Sequence, residues 1–296
     1  MEVDVVVVAY NSRDHLRECV EPLTRMEGVH PIVVDNASPD DSLAALAGLD
    51  IPTIRRPDNR GFAAGVNAGW RAGSSEYVLL LNPDATIDAD SLGRLARILD
   101  TEEHVGAASP RIRRHDGSFE QSMRRFPTLR STYARAFFLH RLFPRAAWAG
   151  ELVLEPEAYT RPGSPDWVSG ACILIRRSIL ERLDGLDEGF FMYCEDKDLC
   201  RRMHDLGYEL RFEPGALAVH QGGASAPRPS LLPVLAESRV RYARKHFGPV
   251  RASLDRLGVA LGAATHAVVS HGGRAQRAGH VASLRAAGLG RPARPS

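Results

Sequence analysis

The apolar pattern opens at once. Val3 to Ala9 is an almost unbroken β-branched run, which predicts a strand buried on both faces. Asn11 and Ser12 are good caps for a following helix that holds Leu16, Cys19, Val20 and Leu23. Ile32 to Val34 reads as a second buried strand ending at Asp35, with a helix from about Asp40 to Ala47 and a third strand at Thr53 to Arg55. Helical spacing returns over Ala63 to Arg71. Tyr77 to Leu81 is again a buried strand, ending at Asn82 and Asp84; Asp90 to Leu99 is an amphipathic helix, and Val105 to Ser109 one more strand.

Strands alternating with helices imply a mostly parallel sheet covered by helices, an α/β class in which ligands bind at the carboxyl ends of strands. Asn11, Asp35, Asn82 and Asp84 all fall at such ends. Beyond Arg111 the pattern loosens. Arg124 to Trp148 mixes Arg with Phe126, Phe137, Phe138, Leu139, Leu142 and Phe143, and reads either as a helix lying on a membrane surface or as one packed against the domain. Strand character returns at Ala171 to Ile175, helices at Ser178 to Leu183 and Asp196 to Leu206 (closed by Gly207), and short strands at Leu210 to Phe212 and Ala216 to His220. A helix follows from Leu231 to Phe247, and the last ~20 residues read as poorly ordered. The expected division is a catalytic domain over 1–230 and a basic helical extension with a partly disordered tail over 231–296.

Composition adds little until charge is mapped. With 44% hydrophobic and 25% charged residues, the chain is an ordinary globular protein. Its net charge of +2 conceals two basic segments. Arg111 to Arg145 has nine Arg against two acids, and Arg239 to the end has eleven Lys or Arg against one. Such segments on an otherwise acidic body fit an anionic partner such as phospholipid or diphosphate, or simply a solvated basic face. The four cysteines form no CxxC pair, so free thiols in a reducing cytoplasm are expected. No signal peptide is read at the N-terminus, and no apolar run approaches the ~18 residues that span a bilayer. The expected location is cytoplasmic, with the basic segments permitting peripheral contact at the inner face of the plasma membrane.

Five stretches carry candidate chemistry. Leu79 to Leu81 delivers Asn82-Pro83-Asp84, two oxygen-bearing side chains two positions apart. A hard divalent cation, Mg²⁺ or Mn²⁺, held chiefly by Asp84 with Asn82 nearby, would neutralise a diphosphate leaving group; a polar turn is the competing reading. Asp35 sits where a carboxylate accepts the ring N–H of uracil or thymine, or caps the next helix. Asn59-Arg60-Gly61-Phe62-Ala63-Ala64-Gly65 with Asn67 lets backbone approach a ligand and offers Arg60 to phosphate. Glu195-Asp196 places adjacent carboxylates at a helix start, one able to structure the turn and the other to act as a general base. His220 follows a short strand as either a structural residue or a ligand.

In this order the motifs resemble the family 2 glycosyltransferases with the GT-A fold, over about Val3 to His220. The resemblance implies a metal-dependent enzyme that moves a sugar, with inversion, from a dTDP- or UDP-linked donor to a hydroxyl of a saccharide or lipid-linked saccharide. No nucleic-acid partner is expected. It implies donor contacts from Tyr10, Asn11, Asp35, Arg60, Gly61, Gly65, Asn67 and Asn82. Trp167-Val-Ser169-Gly170-Ala171 matches an acceptor-side loop, and Arg202 a following arginine. Asp196 matches the catalytic base beside Glu195, and His220 a histidine that completes the metal site beside Asp84. Asn82 departs from the family's DxD and removes one charge from that site. Within the family, the bacterial rhamnosyltransferase-like branch, which builds cell-wall or surface polysaccharide, is the nearest likeness. Two rivals stand beside this reading. A nucleotidyltransferase would want a Gly-rich basic signature where Tyr10-Asn11-Ser12-Arg13 stands. A non-catalytic sugar- or lipid-binding accessory protein on a GT-A scaffold would account for Asn82.

Overall fold

The computed structural model describes residues 1–222, 228–269 and 273–288. Of the last ~20 residues, expected to be poorly ordered, those up to 288 are helical, and the rest lie outside the described residues. The chain divides into two compact units, one built from Met1–Arg124, Glu155–Gly189 and the residues from Glu195 onward to 222, the other from Arg125–Leu154, Phe190–Cys194 and the helices after 226.

The first unit opens with β1 (Val3–Ala9), α1 (Arg13–Val20), β2 (Val29–Asp35), β3 (Thr53–Arg55), α2 (Phe62–Ala72), β4 (Tyr77–Leu81), β5 (Ala85–Ile87), α3 (Ala89–Thr101) and β6 (Val105–Arg113). The helix expected near Asp40 is a five-residue 3-10 turn, Ser42–Leu46. It lies between the left-handed residues Asp41 and Gly48, which leave too short a run for α-helical bonding.

Alternation along β1 shows why its sequence is apolar on both sides. Val3, Val5, Val7 and Ala9 enter the core shared with α1 and α3. Val6 and Val8 face α2, where a Cβ on Gly69 would stand 2.4 Å from Val6 Cγ1 and one on Gly65 2.6 Å from Val8 Cγ1. These glycines let α2 lie close on the strand. Asp4 is the buried exception: its carboxylate accepts Ser75 Oγ–H (2.7 Å) and Ser75 N–H (2.9 Å) and pairs with Arg177.

The short strands β7 (Phe119–Glu120) and β8 (Met123–Arg124) follow, then β9 (Trp167–Val168), β10 (Cys172–Arg176) and, later, β11 (Glu209–His220). Among the described residues nine strands form one sheet, ordered β3-β2-β1-β4-β10-β6-β11-β5 with β7 on β6, and β8 pairs separately with β9. The parallel order expected from the sequence holds from β3 to β4. β10 then runs antiparallel to both β4 and β6, so the whole sheet is mixed. The two strands expected before His220 are one, broken in register between Glu213 and Leu217, where Pro214 lacks an N–H to donate.

The second unit contains α4 (Leu129–Ala136) and α5 (Leu139–Leu142). The first unit supplies α6 (Arg177–Leu183) and α7 (Glu195–Asp205). The second unit then continues with α8 (Arg228–His246), α9 (Pro249–Val269) and α10 (Gly273–Gly288). α4 buries Thr132, Ala134 and Ala136 against α9, where Thr132 Oγ1–H donates to the buried Asp255 (2.6 Å) and Gly258 leaves room for Thr132. Packing against the helical unit is thus the outcome for α4. Among the described residues no helix is long and apolar enough to cross a membrane.

His266 of α9 stacks on Phe138, ring centroids 4.4 Å apart and planes 11° apart. Burial, with the charges of Arg135 and Arg141, pushes its imidazole down to about 4. The unfolded imidazole takes its proton near 6.5, the folded one only near 4, so acidification across that window favours unfolding. The melting temperature is expected to fall between pH 7 and pH 5, and His266→Phe, which keeps the stack, to flatten that fall in melts followed by circular dichroism.

Candidate active site

Four strand ends converge at one edge of the sheet in the first unit. β1 ends in half-buried Tyr10 and in Asn11, which has a left-handed backbone, φ 52°. At the end of β2, Asp35 Oδ1 accepts the N–H of Ser38 (3.0 Å), so this carboxylate structures the turn. Its neighbour Asn36 does more than the sequence signalled. Asn36 Nδ2 donates to Asn59 Oδ1 (2.8 Å) and to the carbonyl of Gly61 (3.1 Å), tying the second strand end to the glycine loop. The buried Asn36 Oδ1 has no hydrogen-bond partner among the described residues.

The glycine loop is divided in use. Gly61, at φ 92°, starts α2 in a conformation that favours glycine, and Arg60 stands exposed beside Glu188 (3.9 Å). Gly65 faces Val8, as above. Asn67 is buried and spent: its amide donates to Leu186 O (2.8 Å) and Glu188 Oε1 (3.1 Å) and accepts from Leu186 N–H (2.9 Å) and Trp70 Nε1–H (3.1 Å). Gly65 and Asn67, expected along the donor, instead pack α2 and anchor the segment around Leu186.

At the end of β4, Asp84 Oδ1 lies 3.3 Å from His220 Nε2, and Asp84 Oδ2 accepts the N–H of Gly222 (3.0 Å). The Asn82 amide stands 3.1 Å from the same His220 nitrogen. β11 pairs His220 with Ala85 of β5, which brings the histidine beside Asp84. His220 Nδ1 meets Glu120 Oε2 at 3.2 Å. Glu120 has no local signal in the sequence, because its place depends on β7 folding back on β6. Burial opposes the imidazolium of His220, but the two carboxylates outweigh it and raise its pKa to about 9. Burial likewise opposes ionisation of Asp84, and the hydrogen bond and charge of His220 prevail, holding the carboxyl below its ordinary range.

This donor set fits a divalent cation. Asp84 oxygen, His220 Nε2 and the Asn82 amide face one another, and the Asp84–His220 spacing is near the ~3 Å between adjacent ligands of an octahedral ion held at ~2.1 Å. Glu120 on Nδ1 would orient the ring toward the ion. Among the described residues no group of three or more His, Cys, Asp or Glu is arranged to hold a metal. Phosphate oxygens and water normally complete such a sparse protein shell.

Asp196, in the first turn of α7, accepts the N–H of Lys197 (2.7 Å) and the N–H of Gly170 (3.2 Å). Burial raises its carboxyl, while those N–H groups and the charges of Lys197 and Arg124 limit the rise. Glu195 is buried further and raised well above the ordinary range, by burial first and then by Asp196. Its Oε2 has no hydrogen-bond partner among the described residues. Tyr193 and Cys194, just before this helix, are both left-handed, at φ 68° and 66°, conformations costing about 1–3 kcal/mol each in non-glycine residues.

One loop joins the two groups. Gly170 N–H reaches Asp196, while the carbonyl of Ala171, the next residue, accepts the N–H of Asn82 (2.9 Å). Ser169 N–H donates to Ser122 (3.2 Å). Trp167 is buried beneath Lys197 Nζ, 4.8 Å from the ring centroid. Arg202 is not brought to this loop. Its guanidinium is consumed by Asp198 (2.7 Å), Leu183 O (2.9 Å) and Gly185 O (2.9 Å), a structural brace in place of the expected acceptor contact.

The fold is similar to that of a mannosyltransferase from Pyrobaculum calidifontis solved with GDP-Man and Mn²⁺, with a TM-score of 0.56 and 21% identity over 98% of this chain and 81% of that one. The fold is of the GT-A type. The model of Glycosyl transferase family 2 matches residues 4–184, and the chain belongs to that family. It is 31% identical over 270 residues to the N-acetylglucosaminyl-diphospho-decaprenol L-rhamnosyltransferase of Mycobacterium tuberculosis, covering 84% of this chain and 87% of that protein. It is 28% identical over 230 residues to the rhamnosyltransferase WbbL of Escherichia coli K12, covering 74% and 83%.

Proposed function

We propose that residues 1–230 transfer a rhamnose-like or other hexose from a dTDP- or UDP-linked donor to a saccharide hydroxyl in cell-wall or surface polysaccharide synthesis, with 231–296 as a helical extension. The name of the Mycobacterium tuberculosis relative supports a lipid-linked saccharide as acceptor, and the buried free cysteines are in keeping with a reaction in the cytoplasm. The observation that carries this reading is the Gly170–Ala171 loop, hydrogen-bonded to Asp196 on one side and Asn82 on the other.

In this reading the strand ends at Tyr10, Asn11, Asp35 and Asn36, with Arg60 and Gly61, receive the nucleotide and its phosphates. Trp167, Ser169 and Gly170 border the acceptor. Asp196 takes the proton of the acceptor hydroxyl as its oxygen bonds to the anomeric carbon. The bond from that carbon to the diphosphate breaks in the same displacement, its electron pair leaves with the nucleoside diphosphate, and the configuration inverts. Mg²⁺ or Mn²⁺, held by Asp84 and His220 with Asn82, would supply positive charge to the leaving diphosphate.

The test is transfer from dTDP- and UDP-sugars with and without each cation, with the anomeric configuration of the product read by NMR. Asp84→Asn is expected to weaken Mn²⁺ binding, measured by titration calorimetry, by at least the 10–100-fold typical of lost supporting contacts. Unchanged affinity in that variant, or retention of configuration, would overturn these assignments.

A further inference from the structure

The segment after α4 exposes a run of aromatic and aliphatic side chains close together in sequence. α5 buries none of its residues. Around it Phe137 is 55% exposed, Leu142 72%, Phe143 51% and Trp148 41%, with the Phe143 and Trp148 rings in contact at 5.7 Å. Phe137 and Trp148 border an open groove of about 440 Å³ that also includes Arg130, Tyr133 and Leu139. Water is a poor solvent for such a cluster, and a monomeric surface rarely gathers it without a partner.

Charge says which partner. From Gln121 to Gly150 the sequence has six arginines and not one acid. Arg130, Arg141 and Arg145 are exposed among the aromatic residues, and Arg141 lies over the ring of Phe138 at 4.7 Å. Exposed Trp, Phe and Leu interleaved with arginine, without carboxylates, is the composition of a surface that rests in the headgroup layer of a bilayer. The arginines draw it to anionic phosphates and the rings enter the acyl boundary. An acidic protein partner would match the arginines but give less reason for Leu142 and Phe143 to project so far.

We infer that the 137–148 segment docks this protein on an anionic phospholipid surface. The inference deepens the membrane-linked acceptor of the proposed function but does not depend on catalysis, because binding is measured without donor, acceptor or metal.

Trp148 provides the signal. Trp70 and Trp167 are 6% and 9% exposed, so a change in tryptophan emission on membrane binding reports the third. The full chain is expected to float with phosphatidylcholine vesicles containing phosphatidylglycerol, to blue-shift its emission on them, and to lose both effects in raised salt. Leu142→Glu with Phe143→Glu should lower the bound fraction at least about tenfold. Arg141→Gln should lower it about fivefold, as expected for about 1 kcal/mol per interfacial arginine. All three positions are exposed, so circular-dichroism melts should be unchanged. No flotation at low salt overturns the inference, as does binding that the Leu142/Phe143 variant leaves intact. A dimer that this variant dissociates, without vesicle binding, would assign the patch to a second copy instead.

Discussion

Asp196→Asn is expected to slow sugar transfer by about two to four orders of magnitude and to leave donor affinity unchanged. The amide has the size of the carboxylate and can still accept one of the two N–H bonds from Gly170 and Lys197, but it cannot take a proton. Single-turnover transfer measures the loss, and thermal shift with nucleoside diphosphate shows whether the donor still binds. The sign of the pH effect follows from burial. Asp196 is raised above the ordinary carboxylate range, so the wild-type rate should fall as pH drops through that raised value, at higher pH than a solvated aspartate would give. That acidic limb should vanish from the residual activity of the variant. Glu195 is raised further, by burial first and then by the charge of Asp196, which favours its neutral form, so Glu195→Gln should retain most activity. Full activity in Asp196→Asn, or severe loss in Glu195→Gln alone, would exchange the two roles.

Arg202→Met should act on stability. Asp198 is wholly buried, and removing the Arg202 guanidinium takes away a charge that compensates its carboxylate. The cost of breaking a buried pair in this way is about 3–5 kcal/mol, or on the order of 10 °C in melting temperature for a unit of this size. The carbonyls of Leu183 and Gly185 lose donors as well. Adding Asp198→Asn to the variant should recover part of the loss by removing the stranded charge. Acceptor KM in the folded enzyme should not move. A variant with wild-type melting and a raised acceptor KM would return Arg202 to the acceptor site.

Arg202 shows where sequence stops informing. An arginine about two turns into an acidic helix matches a motif whether it reaches a ligand or a buried neighbour, since both uses need the same side chain. Asn67 and Gly65 share that ambiguity: a polar residue and a small one in a glycine loop look ligand-facing until the spacing of α2 from β1 is known. β1 and β4 were legible because burial on both faces demands an unbroken apolar run, and no other element of that length reads so. Asp84, His220 and Asp196 were legible as motifs, but their grouping was not. It depends on β11 running back beside β5 and on one loop joining distant segments. Glu120 and Asn36 carried no local signal, for their roles come from strand pairings formed by residues far along the chain.

The Gly170–Ala171 loop also acts as a linkage in the mechanical sense. Its two hydrogen bonds leave from successive residues of a stretch continuous with β10, which is clamped between β4 and β6. A shift of the Asn82 strand end therefore pulls on the peptide that holds Asp196, and a swing of Asp196 pushes back along the same few bonds. In the proposed reaction, loading of the donor at Asn82 would then be geared to the aim of Asp196 through a lever only two residues long.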